Sequence, residues 1–487
     1  MSDTLLDDLR SLLDRTRASC DDPMVGARLD RLAERLDEPL IVAIAGKVKA
    51  GKSTLLNALI GEELAPTDAG ECTRIVTWYR NGPTYRVTIE SDDGTERQVP
   101  FHRDEGALEV DLGGQPVERI RRMTVDWPSA RLSDLTLIDT PGLESVSTRT
   151  SDRTHTFLGT DGESHAEADA VIYLMKHLHR ADIGFLEAFR DDADATASPI
   201  SAISVLSRAD EVGVCRLDAM VAANRIATTW RNDPRLRRLC QTVVPVAGLV
   251  AQAGASLTEQ EFQALRTIAR LPRPQVDALL LTVDRFVNTE LDELTPVERE
   301  LLLERFGVFG IRLSVSLIRL GAADHARMLA DELWRRSGVE ELRFLLGTVF
   351  AERRDILKAR VALAGLDTAL GELEGPEIAE LEREIERIGA NAHQFREIHV
   401  LHALRSGRLP FTATETDEVE RLLGSVGSPS RARLAGLHDG DSRQAALDAL
   451  ERWRIRSENP MSPLDVVDAA RVVIRTYEGL LAASDER

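Results

Sequence analysis

The stretch Gly46-Lys47-Val48-Lys49-Ala50-Gly51-Lys52-Ser53 constrains this chain more than any other. Gly46, Gly51, Lys52 and Ser53 satisfy the spacing G-x-x-x-x-G-K-[ST]. An apolar run, Leu40–Ala45, precedes it and a helical pattern, Thr54–Ile60, follows. The order predicts a buried strand, a tight loop and a helix. Backbone N–H groups of such a loop turn inward beside a helix N-terminus, which forms a concavity suited to phosphate. Lys52 then reaches the β- and γ-phosphates and Ser53 ligates Mg²⁺, with Lys47, Val48, Lys49, Ala50 and Thr54 completing the lining. The chain holds five lysines (Lys47, Lys49, Lys52, Lys176 and Lys358), and three of them lie in this loop. Positive charge elsewhere is arginine, so these lysines read as functional.

Length and charge narrow the remaining classes. At 487 residues the chain exceeds one compact core and suggests roughly two or three domains. A net charge of −20 argues against nucleic acid as a partner. It also disfavours broad attraction to anionic lipid, leaving a local arginine patch as the basic route to a membrane. Cys20, Cys72, Cys215 and Cys240 are scattered without metal-ligand spacing or a disulfide framework, which fits a reducing compartment. The N-terminus is acidic and amphipathic, unlike a signal peptide. No apolar run approaches the roughly 18 residues of a bilayer span. The expectation is a cytoplasmic protein.

Periodicity orders the rest. Leu5, Leu9, Leu12 and Leu13, then Val25, Leu29, Leu32 and Leu36, fall at helical spacing. After the phosphate loop, strands are expected at 73–80, at 85–90 and 96–100 as a hairpin, near 123–126, and at 135–138, 170–175, 203–206 and 242–246. Helical patterns follow the later ones. The fold class is therefore an α/β phosphate-loop domain with a mainly parallel sheet, whose ligands sit at the strand carboxyl ends. Beyond about residue 249 strands vanish. Short helices broken at Pro272, Pro274, Pro296, Gly307 and Gly310 give way to longer amphipathic ones, which suggests a helical bundle. The expected units are 1–38, N-terminal helices; 39–252, the nucleotide core; 253–350, a helical extension; and 351–487, a helical neck and stalk.

Three later stretches select the nucleotide. Asp139-Thr140-Pro141-Gly142 ends a strand, where Asp139 could hold Mg²⁺ through water and the Gly142 N–H could sense a γ-phosphate. Thr73 lies twenty residues after Ser53 and could lend its hydroxyl to Mg²⁺, with Thr67 and Thr77 competing for the role. Ser207-Arg208-Ala209-Asp210 follows a buried strand. A carboxylate there accepts both guanine N1–H and N2–H₂, which adenine cannot offer. Ser207 and Arg208 depart from the usual [NT]-K-x-D but keep a small hydroxyl and a flat cation. Ala247, after the last strand, could present a backbone N–H to guanine O6.

In this order the elements make a GTP site, and the chain resembles the bacterial dynamin-like GTPases over essentially its whole length. Residues 45–54, Ala65-Pro66-Thr67-Asp68-Ala69, Thr73–Trp78 and Arg305–Arg312 are similar, within that family, to the shorter of the mycobacterial isoniazid-inducible members. The resemblance implies GTP hydrolysis to GDP, GTP-driven association of GTPase domains, and membrane binding or remodelling at a stalk tip. It also admits a dynamin-like partner and a peripheral place at the inner face of the plasma membrane.

Two positions depart from the eukaryotic pattern. Where those dynamins carry a water-orienting Gln and a cation-holding Ser, this chain has Val48 and Lys49. Val48 cannot orient water. Lys49 could replace the monovalent cation beside the β–γ bridging oxygen, much as an arginine finger supplies charge. The alternative is a solvated lysine paired with a surface carboxylate. Thr140, Glu144, Arg149 and Arg153 are further candidates for assisting hydrolysis, and slow basal turnover is expected. The turn Arg405–Phe411 is the candidate lipid contact, its ordinary alternative being a connection that tucks Leu409 and Phe411 into the bundle. A GTP-dependent switch or scaffold partner without membrane activity is the rival function.

Overall fold

The computed structural model describes residues 2–65, 75–104, 107–141, 168–190, 201–350, 353–373, 375, 377–391, 393–424 and 442–485. Its centre is a nine-stranded sheet. The strands are β1 (Leu40–Gly46), β2 (Thr77–Asn81), β3 (Arg86–Ser91), β4 (Glu96–Val99), β7 (Ile120–Trp127), β8 (Leu135–Asp139), β9 (Ala170–Met175), β10 (Ala202–Ser207) and β11 (Val243–Val246). They lie in the order β11-β10-β9-β1-β8-β2-β7-β3-β4. A separate hairpin, β5 (Phe101–Asp104) with β6 (Ala107–Val110), is an element the sequence pattern did not signal. β1 runs parallel to both β8 and β9, and β9, β10 and β11 continue in parallel. The far half is mixed, with β2 antiparallel to β8 and β3 antiparallel to β7. The α/β class with a mainly parallel sheet therefore holds.

β1 is buried along its whole length because both faces of the sheet are covered, as parallel strands require. Leu40, Val42 and Ile44 join one core. Ile41, Ala43 and Ala45 join the other, with Phe185 and Leu186 of the helix Arg180–Arg190. The register sets Ile44 beside Asp139 and Gly46 beside Leu174. It also sets Ser207 beside Val246. The carboxyl ends of β1, β8, β9, β10 and β11 thus meet along one rim.

The N-terminal helices, Ser2–Ala18 and Pro23–Asp37, bury the two leucine stripes the spacing predicts. They pack against helices from the far end of the chain. A Cβ on Gly365, in the helix Arg354–Gly371, would stand 2.6 Å from Leu32 Cδ1. Ser19 Oγ donates to Glu377 at 2.7 Å, and Arg28 donates to both oxygens of Glu372. These helices share a core with residues 354–401.

Residues 248–336 form a third core of helices. The helical stretch Pro296–Arg319 is two helices joined across a kink at Gly307 (φ 62°, ψ 173°), the break the pattern suggested there, whereas Gly310 lies within the second helix and does not interrupt it. Arg312 and Arg319, which interrupt its apolar run, spend their guanidiniums on backbone carbonyls of Cys215, Leu280 and Ala269. This run is core. Helices His393–Arg405, Ala413–Val419, Ser442–Glu458 and Leu464–Asp485 make the C-terminal bundle. Buried Glu418 there accepts from Trp453 Nε1 and the Tyr477 hydroxyl, at 3.0 and 2.9 Å. No helix among the described residues is long and apolar enough to cross a membrane.

Candidate functional site

Gly46 ends β1 at φ 149°, and a Cβ there would lie 2.6 Å from the Leu174 carbonyl oxygen. Only glycine lets the loop leave the sheet so close to β9. The loop closes on the helix Lys52–Ile60. Lys52 Nζ donates to the Gly46 and Lys47 carbonyls at 3.2 and 3.3 Å. Burial pushes this ammonium below the ordinary lysine range, and the Asp139 carboxylate opposes that shift.

Asp139 closes β8 opposite. Ser53 Oγ donates to its Oδ2 at 2.9 Å. Its Oδ1 is shut off from solvent without a hydrogen-bond partner among the described residues. Burial raises the Asp139 pKa, with Lys52 and Ser53 pulling the other way. A buried carboxylate oxygen with no donor, beside a hydroxyl, is the donor set a hard dication takes. Ser53 and Asp139 fit Mg²⁺.

Lys47 points elsewhere. Its Nζ lies 3.9 Å from Asp182 Oδ1, a carboxylate 1% exposed that also accepts from the Tyr173 hydroxyl and the His179 N–H. Asp182 is a positioning residue the sequence reading missed. Its position in the first turn of the helix after β9 was the available signal. Lys49 sits at the loop apex with φ 62°, exposed, and makes no ion pair among the described residues. The expected alternative, a surface carboxylate partner, is absent there. Val48 beside it is 49% exposed.

The phosphate loop shares a cavity of about 120 Å³ with the second constellation. Ala50, Gly51, Thr54 and Leu55 line one side; Ser207, Arg208, Asp210 and Gly248 line the other. Asp210 is 7% exposed, and burial raises its pKa. Lys176 and Arg208 both pair with neighbouring Glu211, Arg208 at 2.7 Å. Asp210 therefore carries no ion pair among the described residues. Ser207 Oγ is buried with no hydrogen-bond partner among the described residues. Lys176 and Glu211 were missed from the sequence, although Glu211 adjoins the motif and Lys176 directly follows β9.

Two expectations are corrected. The Thr140 hydroxyl donates to the Ile44 carbonyl at 2.8 Å and is buried, so it splices β8 to β1 and is not free to orient water. The Ala247 N–H donates to the Ser337 carbonyl at 2.9 Å. Gly248, the first residue of the next helix, lines the cavity beside it. Arg208 is held against Glu211 by its own loop conformation (φ 51°). Thr67, Thr73, Gly142, Glu144, Arg149 and Arg153 lie outside the described residues. Asn57 pins the residues just after the phosphate-loop helix: its amide donates to Ala65 O at 2.9 Å and accepts from the N–H groups of Leu64 and Ala65 at 3.0 and 2.7 Å.

Comparison with known proteins decides the family. The chain is 39% identical over 469 residues to the isoniazid-induced protein IniC of Mycobacterium tuberculosis, spanning 95% of this chain and 94% of that protein. This chain belongs to the bacterial dynamin-like family. The Dynamin family signature matches residues 42–196, the heart of the sheet. The bacterial dynamin-like protein of Nostoc punctiforme is 33% identical over 117 residues, 22% of this chain and 17% of that one. Isoniazid-induced protein IniA is 35% identical over 125 residues, covering 24% and 19%. A solved bacterial dynamin pair, described as long-range sensing and tethering of membranes, aligns over 98% of this chain and 90% of its own. At 12% identity and a TM-score of 0.33 it adds nothing further. Family membership makes the chain a GTPase of the dynamin class, an α/β nucleotide domain with a helical stalk.

Proposed function

We propose that this dynamin-like GTPase binds GTP between the phosphate loop and Asp210, hydrolyses it slowly to GDP, and uses the cycle to associate and to act at membranes. The observation that carries the guanine reading is the Asp210 carboxylate: 7% exposed, lining the cavity, and without an ion pair among the described residues. A buried carboxylate in that state is stabilised by a ligand offering two N–H donors, which guanine does and adenine does not. Ser207 Oγ, also unpartnered, and the Gly248 N–H are the remaining groups for the base.

Ser53 and Asp139, the latter through water, would hold Mg²⁺, with Thr73 joining them. The metal would supply Lewis-acid charge to the phosphate oxygens. The loop N–H groups of residues 46–54 cradle the phosphates, Lys52 brings its ammonium to the β- and γ-phosphates, and the Gly142 N–H senses the γ-phosphate. Lys49 places its charge at the bridging oxygen in place of a monovalent cation. Val48 is apolar and the Thr140 hydroxyl is committed to the Ile44 carbonyl, which removes two groups that could orient water and supports slow basal turnover. That same observation favours a second reading, a GTP-controlled switch or scaffold for another dynamin-like protein.

The working units are 1–38 with 351–487 as neck and stalk, 39–252 as GTPase core and 253–350 as its helical extension. The proposed setting is the cytoplasm, peripheral at the inner membrane face. The test is GTP turnover against protein concentration, with and without anionic vesicles. Rates that climb with both support the dynamin-like cycle, whereas a rate per molecule indifferent to both assigns the switch reading.

A further inference from the structure

The C-terminal bundle carries a cavity that the nucleotide reading leaves unused. It is a groove of about 710 Å³ between the helices His393–Arg405 and Leu464–Asp485, a volume within the range of roughly 300–1,000 Å³ usual for small-ligand sites. Its floor is apolar, since Val400, Leu409 and Val472 are buried. Its walls are basic. Arg396, Arg408, Arg471 and Arg475 face two acids, Asp465 and Asp468, in a chain whose net charge is −20.

Three of these arginines, Arg408, Arg471 and Arg475, are poorly matched. Elsewhere in the bundle Arg452 pairs with Glu418, Arg454 with Glu478 and Arg456 with Glu415. In the groove, exposed Arg475 makes no hydrogen bond or ion pair among the described residues. The Arg408 guanidinium donates there to Ser406 Oγ alone, at 3.2 Å. Arg471 meets Asp468 at 3.2 Å in a pair open to solvent, which neutralises little. The turn Arg405–Phe411 meanwhile presents no apolar tip. Leu409 is 6% exposed, and the Phe411 ring packs edge-on to Trp453 with centroids 5.3 Å apart. Of the features that made that turn a lipid candidate, Arg408 is the one left facing outward, and it faces into the groove.

We propose that this groove binds a phosphate-bearing anion, either the headgroup of an anionic phospholipid or a free phosphoanion. Planar guanidiniums match phosphate oxygens in pairs, and the apolar floor beneath them suits the glycerol and first methylenes of a lipid. The lipid source rests on the membrane reading above; the phosphate chemistry does not.

The test uses the full-length protein with its nucleotide site saturated with GDP. Two probes are compared, vesicles of phosphatidylglycerol in phosphatidylcholine and inorganic pyrophosphate, for wild type and for Arg408→Glu/Arg475→Glu. Arg273→Glu, an 86% exposed position outside the groove, serves as the charge control. Each arginine is worth about fivefold near an anionic surface, so the double variant should bind at least about 25-fold more weakly. The control and the lipid-free GTP turnover should be unchanged, and Arg408→Gln/Arg475→Gln should fall between. Vesicle binding unaffected by the double variant overturns the groove and leaves the membrane reading standing. Pyrophosphate binding without vesicle binding supports the groove and removes the membrane reading. Binding of neither probe by wild type overturns both.

Discussion

Ser53 Oγ donates to Asp139 Oδ2 across 2.9 Å, tying the start of the phosphate-loop helix to the end of β8, while Asp139 Oδ1 stays buried without a donor among the described residues. That contact predicts where metal dependence resides. Ser53→Ala or Asp139→Asn should raise the Mg²⁺ concentration for half-maximal turnover about 10- to 100-fold. Binding of a fluorescent GDP in chelator should change little. An unchanged metal requirement in both variants would remove these residues from the metal site.

Lys49 stands at the exposed apex of the loop with φ 62° and no ion pair among the described residues. If its ammonium substitutes for a monovalent cation, Lys49→Ala should lower single-turnover hydrolysis on the order of 10³-fold, the scale of an arginine finger. GTP affinity should barely move, and wild-type turnover should be the same in sodium and potassium. Equal losses of affinity and rate, or a potassium requirement in wild type, would refute the substitution.

Much of this was legible in the chain. The phosphate loop, Asp139 and Asp210 each carry chemistry in adjacent residues, and each sits at the end of an apolar run that could only be a strand. What stayed hidden depends on contacts between distant segments. Nothing local says that the Ala247 N–H is consumed by Ser337, and the first-turn position of Asp182 does not by itself say that it reaches Lys47. The hairpin β5–β6 was missed because its strands are only four residues each and the first, Phe-His-Arg-Asp, is mostly polar, too little pattern to read. Gly307 does break the helix, at a single non-helical residue, but Gly310 does not, because its φ/ψ are helical and it is buried inside the second helix.

That kink touches the base site. A Cβ on Gly307 would stand 3.4 Å from Leu249 Cδ1 and 3.9 Å from Asp210 Oδ2. Space is adequate, but φ 62° with ψ 173° is a region held almost exclusively by glycine. Gly307→Ala should cost about 1–3 kcal/mol of stability. Because the strain falls beside Asp210, the thermal shift produced by GDP should shrink as well. Thermal unfolding with and without GDP measures both, and a variant that melts like wild type would show that the kink is unstrained.

Asp126, 3% exposed at the end of β7, binds Arg80 of β2 and Arg86 of β3. Burial pushes its pKa up, but the two guanidiniums outweigh this and hold it below the usual 3.8. A depressed carboxylate contributes stability that is complete above its unfolded pKa and is lost as pH falls through the folded one. Stability from this knot should therefore be flat at neutral pH and decline below about pH 4. Asp126→Asn should be destabilised at pH 7 and should lose the steep part of that acid limb in denaturant titrations. An unchanged acid limb would place the pH dependence elsewhere.

The proposed function requires one site that both reads guanine and cleaves its triphosphate. Phosphate release from GTP and ATP, measured side by side with Mg²⁺ for wild type, Lys52→Ala and Asp210→Asn, tests it most directly. GTP should be turned over and ATP should not; Lys52→Ala should abolish release. Asp210→Asn should raise KM for GTP by about 30-fold or more. ATP turned over as readily as GTP, or release surviving Lys52→Ala, would contradict the account.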